Sequence, residues 1–468
     1  MNLNRFYLIF FILICIIAIR FFDETKGFLR DFLPYYTKSY VNELLYKQSD
    51  QYVLKAQAYN AMKDYFVIPN KPALIKTKSE YIERYPEIRI DILETNFLNK
   101  IKNAKAKGGS YLALHNGNLI IAQENGLIFY LKSSEIGLDK SSLSLSNIPT
   151  NLFSLIRFYD FYGQGQYGVK GLLFDEKYLY LSVSFEVEEN CFNTSILKAE
   201  MNQKFLNFEN FFVPNNCVKK KNVYGEYNAS DSGGRIAEFK DNNILFSTGT
   251  FRYRDHAQDP ASHLGKILSI DKNTAVAEVI SMGHRNVMGL TYYKSLDQIW
   301  STEHGPNGGD EINMNQLDNS IDTKNFGWPV SSYGEHYSAS STNPEGVVLF
   351  DKDDKTYLKA PLHKSHKDFG FVEPITYFTP SIGISSIQSI PSNFFHDKDF
   401  DLIFGSKGVN KNAADERSLF LLKSSNYTFE KIFTGQRIRD IIYHNDLDII
   451  IFSGETSGMI GIISNREI

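Results

Sequence analysis

Ile299-Trp300-Ser301-Thr302-Glu303-His304-Gly305-Pro306-Asn307-Gly308-Gly309-Asp310-Glu311-Ile312-Asn313 passes from a β-branched and aromatic run, through a turn that no strand can continue, to two carboxylates. Five further runs share its opening form, a few aliphatic or aromatic residues after a polar turn: Leu119–Ala122, Leu179–Ser182, Ile244–Ser247, Leu402–Gly405 and Ile449–Phe452. In chain order the six begin 60, 65, 55, 103 and 47 positions apart. Repetition at that scale leaves room for four strands per unit. It predicts an all-β fold, a six-bladed β-propeller over residues 105–468. A sandwich would space its strands more closely and show no long period.

The interval of 103 is the odd one, and it contains an insertion, residues 331–370, rich in Ser, Lys, His and Asp. Long excursions in compact domains often cover a site, and a plain surface insertion is the alternative. His363 and His366 fall within it and are expected to face solvent.

Composition agrees with a large sheet-rich core: 468 residues, 43% hydrophobic and 14% aromatic, with 36 Phe and 28 Tyr. A net charge of −4 gives no reason to expect nucleic-acid binding, and Lys219-Lys220-Lys221 reads as a solvated loop.

Phe6 to Ile19 is an apolar run of 14 residues between Arg5 and Arg20. As a helix it covers about 21 Å, short of a hydrocarbon core of about 30 Å unless Arg20 snorkels and Phe21 and Phe22 extend it. We read residues 1–23 as an export signal retained as a membrane anchor through residues 6–22. The rest of the chain is then periplasmic or otherwise extracytoplasmic; a cleaved signal is the alternative. Cys191 and Cys217 lie in the exported part, where an oxidising compartment would favour a disulfide. Residues 24–104 contain apolar positions at helical spacing (Val41, Leu44, Leu45; Val53, Leu54, Ala58, Met62) and read as a short helical or irregular stalk.

Loops from every blade of a propeller gather at one mouth of the channel. The turn through Gly305 and Pro306 exposes backbone carbonyls beside the carboxylates of Asp310 and Glu311, oxygen ligands that suit a hard cation such as Ca²⁺. Arg285 and Asn286 precede an expected strand, and Lys407 follows one. Arg437 and Arg439 sit at i and i+2, on one face of a strand if the alternation holds. Together these cations would form a cup for an anion with several acid groups. No His-Glu-x-x-His run, phosphate-cradling Gly loop or nucleophile elbow is present.

Ser230-Asp231-Ser232-Gly233-Gly234-Arg235, Ala257-Gln258-Asp259, Ser262 to Leu268, Gly283-His284-Arg285-Asn286, Glu303 to Glu311, Asn325 to Pro329 and Arg437-Ile438-Arg439-Asp440 resemble the glucose/sorbosone dehydrogenase family. That family includes soluble quinoprotein glucose dehydrogenases and bacterial aldose sugar dehydrogenases. The resemblance covers roughly residues 105 to 460. It implies a propeller holding pyrroloquinoline quinone (PQQ) and Ca²⁺ at the channel mouth. Arg285, Asn286, Lys407, Arg437 and Arg439 would bind the quinone, and the carbonyls of Gly305 and Pro306 the Ca²⁺. Asp310 and Glu311 would brace the loop or bind a second cation.

The implied reaction oxidises the anomeric CH–OH of an aldose, passing electrons through the quinone to an acceptor the sequence does not identify. One position departs from the family. Asp231 stands where the catalytic His is expected, and a free carboxylate, with a reference pKa of about 4, is a weaker base than an imidazole. His256, in the following loop, is a candidate replacement. Two readings follow: a PQQ- and Ca-dependent sugar dehydrogenase impaired at its base, and a catalytically silent, membrane-tethered propeller that binds a ligand or protein partner. A lactonase-type hydrolase would need side-chain carboxylates converging on one metal, and the sequence supports it least.

Overall fold

The computed structural model describes residues 71–96, 109–137, 140–156, 167–240, 242–317, 323–336, 341–342, 348–349, 362–408, 416–455 and 458–465. The anchor expected over residues 1–23 and residues 24–70 of the stalk lie outside them. Among the described residues no helix is long and apolar enough to cross a membrane.

Among the described residues six blade sheets follow one another along the chain, antiparallel except where Lys324–Asn325 pairs in parallel at the edge of blade 3. Blade 1 holds Ser110–His115, Asn118–Gln123, Ile128–Leu131 and Ser146–Ile148; blade 2 holds Gly168–Phe174, Tyr178–Glu188, Cys191–Glu200 and Glu209–Phe212. Blade 3 is Gly233–Glu238, Asn243–Thr248, Lys266–Asp271 and Ala277–Met282, and blade 4 is Val287–Tyr293, Gln298–Glu303, Asp310–Gln316 and Thr376–Phe378. Blade 5 is Ile384–Ser389, Leu402–Ser406, Ser418–Leu422 and Phe429–Phe433. Blade 6 takes Ile438–His444, Ile449–Gly454 and Ile460–Asn465 from the end of the chain. The first strand of each blade touches the first strand of the next, and blade 6 touches blade 1, closing a ring around a central channel. The expected six-bladed propeller is therefore the fold. Each of the six repeated runs is the second strand of a blade.

The expected stalk needs correction between residues 73 and 95. Ala73–Ile82 and Tyr85–Thr95 are strands of blade 6, with Ile88 opposite Asn465 and Leu93 opposite Ile460. The reason is legible in Ile88-Arg89-Ile90-Asp91-Ile92, a strict alternation whose isoleucines are buried in the core shared with blade 5. This pairing covers what would otherwise be the open edge of the last blade. The helical spacing that suggested a stalk stops before this stretch.

Apolar faces pack between neighbouring blades. Tyr180, Ile196, Ile236 and Phe246 join blades 2 and 3, while Trp300, Ile312, Phe404 and Phe420 join blades 4 and 5. Cys191 and Cys217 form a disulfide, fastening the third strand of blade 2 to the short strand Val218–Lys219.

Candidate functional site

The channel is divided by one buried knot. Arg235, on the first strand of blade 3, reaches across to Asp440 on blade 6, with Nη1 to Oδ1 at 2.6 Å. The Arg235 Nη2 donates to the Arg439 carbonyl at 2.7 Å, and its Nε donates to the Met288 carbonyl. Asp440 also accepts from the Leu112 backbone N–H at 2.9 Å and the Ser386 hydroxyl at 2.8 Å. Five blades thus meet at one ion pair. On one side lies a chamber of about 310 Å³ lined by the inner strands. On the other is a smaller cavity of about 110 Å³ lined by Asp231, Asn286, His304, Lys407, Arg439 and Glu455 among others.

The polar character of that cavity follows from where the second strands end. His304, Lys407 and Glu455 each come directly after the second strand of their blade, at the channel mouth. Lys407 is 6% exposed, and its ammonium makes no hydrogen bond or ion pair with any described residue. Burial pushes its pKa down to about 7. His304 Nε2 lies 2.7 Å from the Ile384 carbonyl, an acceptor only, so this nitrogen carries the hydrogen. Burial, then the charges of Lys407 and Arg285, hold this imidazole far below its ordinary pKa, hence neutral.

Arg439 is 6% exposed and meets two carboxylates, Glu124 and Glu455, each 2.5 Å from Nη2. Burial opposes its charge, but these carboxylates outweigh burial and raise its pKa above the usual arginine value. Arg437 does something else. Its Nη1 donates to the carbonyls of Lys407 at 2.7 Å and Gly408 at 2.8 Å, and it does not line the cavity. The expected same-face pair fails because the strand is bulged between Ile438 and Asp440, which breaks the alternation at Arg439. Arg437 supports Lys407 through its backbone.

Glu303 organises the next segment. Its carboxylate accepts from the backbone N–H groups of Arg285 and Asn286 and lies 3.0 Å from His284 Nδ1. Arg285, so placed, donates to the His304 carbonyl at 3.0 Å and to Asp231 Oδ2 at 2.9 Å, with its guanidinium over the Trp328 ring. Asn286 accepts from the Gly233 N–H at 3.1 Å. Gly233 has φ +62°, and an added Cβ would lie 2.7 Å from the Gly249 nitrogen, so this turn requires glycine.

Asp231 is 5% exposed and does line the cavity. Its Oδ2 takes two guanidiniums, Arg252 Nε and Arg285 Nη2, both at 2.9 Å. His256 is no substitute: Nδ1 lies 3.1 Å from the Ser262 hydroxyl, and the residue is not part of the cavity lining.

The Gly305–Gly309 loop lies beside the cavity, directly after His304. Asp310 braces it. Oδ1 accepts from the Gly305 N–H at 3.3 Å, and Oδ2 accepts from Gly383 at 2.7 Å and Ile384 at 3.0 Å. Burial nevertheless raises the Asp310 pKa, with those N–H donors working the other way. Glu311 lies 3.4 Å from His366 Nε2 and accepts from Asn313 at 3.2 Å. Of the two expected roles, bracing describes the contacts of Asp310, whereas Glu311 turns to Asn313 and His366 rather than to the loop. Among the described residues no three His, Cys, Asp or Glu side chains converge as a metal site.

His366 corrects another expectation. It is buried against Glu311 and the Ser331 hydroxyl, although His363 is exposed as expected. The start of the insertion also clasps the loop, since Asn307 and Glu335 exchange backbone hydrogen bonds at 2.7 and 2.8 Å.

Glu124, Arg252, Glu303 as a bracket, His304 and Glu455 were missed by sequence reasoning. For Glu124, His304 and Glu455 a signal existed, the position directly after a repeated second strand that singled out Lys407. For Arg252 there was none, because its contact with Asp231 depends on Phe251 and Arg252 both adopting positive φ.

A family model described as Glucose / Sorbosone dehydrogenase matches residues 110–462. The aldose sugar dehydrogenase YliI of Escherichia coli (strain K12) is 27% identical over 258 residues, 50% of this chain and 60% of that protein. The chain spans little more than half the length of the curated relatives it matches. The apo-form of the soluble aldose sugar dehydrogenase (Asd) from Escherichia coli has a TM-score of 0.58 at 19% identity, covering 81% of this chain and 100% of that one. The holo form of the pyranose dehydrogenase PQQ domain from Coprinopsis cinerea has a TM-score of 0.51 at 11% identity, covering 85% and 98%. At these identities the two structures speak for the propeller, whereas the family match extends over most of the chain. The chain belongs to the glucose/sorbosone dehydrogenase family.

Proposed function

We propose that the cavity binds PQQ, with Ca²⁺ at the Gly305–Pro306 bend, and that the protein oxidises aldose sugars at the anomeric CH–OH with an impaired base. The observation that carries this is the buried ammonium of Lys407, without a partner among the described residues, in a cavity that also presents Asn286 and Arg439. A desolvated cation without a partner is costly, and an acid group of a ligand would relieve that cost. Bound there, the quinone would serve as a two-electron acceptor for the sugar. Lys407 and Asn286 would hold it, Arg439 would offer a guanidinium, and Arg437 and Arg285 would fix the backbone around them. The carbonyl oxygens of Gly305 and Pro306 accept no hydrogen bond from any described residue, which leaves them available to a hard cation.

The base position is where this chain falls short. Before Asp231 could take a proton from a sugar hydroxyl, its Oδ2 would have to loosen contacts with two guanidiniums. That clamp favours slow turnover, and in the limit the second reading, a propeller that binds ligand without catalysis. The disulfide supports placing the domain in an oxidising compartment such as the periplasm, and the apolar run within residues 6–22 supports its attachment to the membrane there. The electron acceptor belongs to that compartment.

The test adds PQQ and Ca²⁺ to the full chain and follows dye reduction with a panel of aldoses, beside an Asp231→His variant. We expect saturable PQQ binding in both proteins, slow turnover in the unmodified protein, and at least tenfold faster turnover in the variant, the size of a general-base contribution. Absence of PQQ binding in both would overturn the proposal. Binding with turnover in neither would leave the silent propeller.

A further inference from the structure

Arg439, expected to clamp an acid group of the ligand, is already clamped. Glu124 follows the second strand of blade 1 and Glu455 follows the second strand of blade 6, and both carboxylates reach the same Nη2 at 2.5 Å. The contacts are close but lack the alignment of hydrogen bonds: both Glu124 oxygens and Arg439 Nε are buried without a hydrogen-bond partner among the described residues. One guanidinium between two carboxylates carries a net negative charge. A third carboxylate cannot join it without repulsion unless one of the two withdraws. Glu455 lines the cavity and Glu124 does not, so Glu455 is the one a ligand meets. Its backbone N–H is held by the Arg437 carbonyl at 2.6 Å, which fixes where the side chain starts.

We propose that Glu455 is an internal competitor for the ligand's acid group: it occupies the cavity side of Arg439, gives up that ion pair when a carboxylate docks, and thereby sets the affinity of the site for polycarboxylates. The proposal rests on the reading of this cavity as an anion site and adds what limits it. Without the competitor Arg439 would keep Glu124 alone, and its cavity side would be open to an acid group beside Lys407. With it, that side is taken.

The test measures equilibrium binding, with no turnover required. The full chain, E455Q and E124Q are titrated with benzene-1,2,4-tricarboxylate by calorimetry and with PQQ by fluorescence quenching. We expect E455Q to bind the tricarboxylate at least tenfold more tightly than the unmodified protein. E124Q should also tighten, by a smaller factor, because Glu455 still has to move. E124Q keeps the proposal testable if E455Q does not fold. Unchanged, weakened or undetectable tricarboxylate binding in the variants would overturn it. If both variants tighten for the tricarboxylate while PQQ binds to none of the three proteins, the internal competitor stands and the quinone reading falls.

Discussion

At the scale of single residues, charge decides what this cavity can hold. Burial disfavours the Lys407 ammonium and pushes its pKa down to about 7, so the site is expected to lose its available cation as the pH rises through that value. An anionic ligand prefers the charged form. Its affinity is therefore fully present below pH 7 and falls as pH increases towards 9, about tenfold per unit once Lys407 is neutral in the unliganded protein. Binding isotherms for PQQ between pH 6 and 9 check this, and a flat profile would count against Lys407 as the main contact. Much of this site is legible in the residues themselves. Asp231, Arg285, Asn286, Lys407 and Arg439 were identified along the chain, and they do converge within one cavity or directly support it. Their partners were less legible. Nothing in the order Asp231 to Arg252 announces that a guanidinium folds back over the carboxylate, and the pairing of Glu124 with Arg439 joins blades far apart along the chain.

At the scale of elements, the short apolar runs were a reliable sign of buried strands, and helical spacing was misleading where it was extended beyond the residues that carry it. All six repeated runs became second strands. Tyr85–Thr95 was overlooked because the helical spacing between Val41 and Met62 was carried through to residue 104, although Ile88, Ile90 and Ile92 alternate cleanly. The Arg437–Arg439 pair failed for a different reason, a bulge that sequence spacing does not reveal. The disulfide between Cys191 and Cys217 closes a loop with a sequence separation of 26. Constraint of the unfolded chain by a loop of that length is worth about 3 kcal/mol. Replacing both cysteines by serine is accordingly expected to lower unfolding free energy by about that amount, read as a shift in the denaturant midpoint without a change in the identity of the folded state.

At the scale of the whole molecule, the propeller is a ring whose blades are bound at the centre as well as at their flanks. The Arg235–Asp440 knot links blades 3, 4, 5, 6 and 1 in one buried network. Removing one partner of such a pair strands the other charge without water, at a cost of about 3–5 kcal/mol. Asp440→Ala is expected to destabilise the domain by that amount, checked by chemical denaturation, and to disturb the cavity above it, because Arg439 leaves the same strand. The ring closure was legible in outline, since a six-fold period requires it. The part supplied by residues 73–95 was not, because a closing strand carries no motif beyond its alternation.

The central claim is that an anionic quinone lodges against Lys407, and the most direct test is a titration of the full chain and of Lys407→Met with PQQ in the presence of Ca²⁺ at pH 6.5. Methionine keeps most of the volume and removes the charge. The account predicts saturable binding to the unmodified protein and at least a tenfold loss in the variant. Equal affinity in the two proteins, or no binding to the unmodified one, would contradict it.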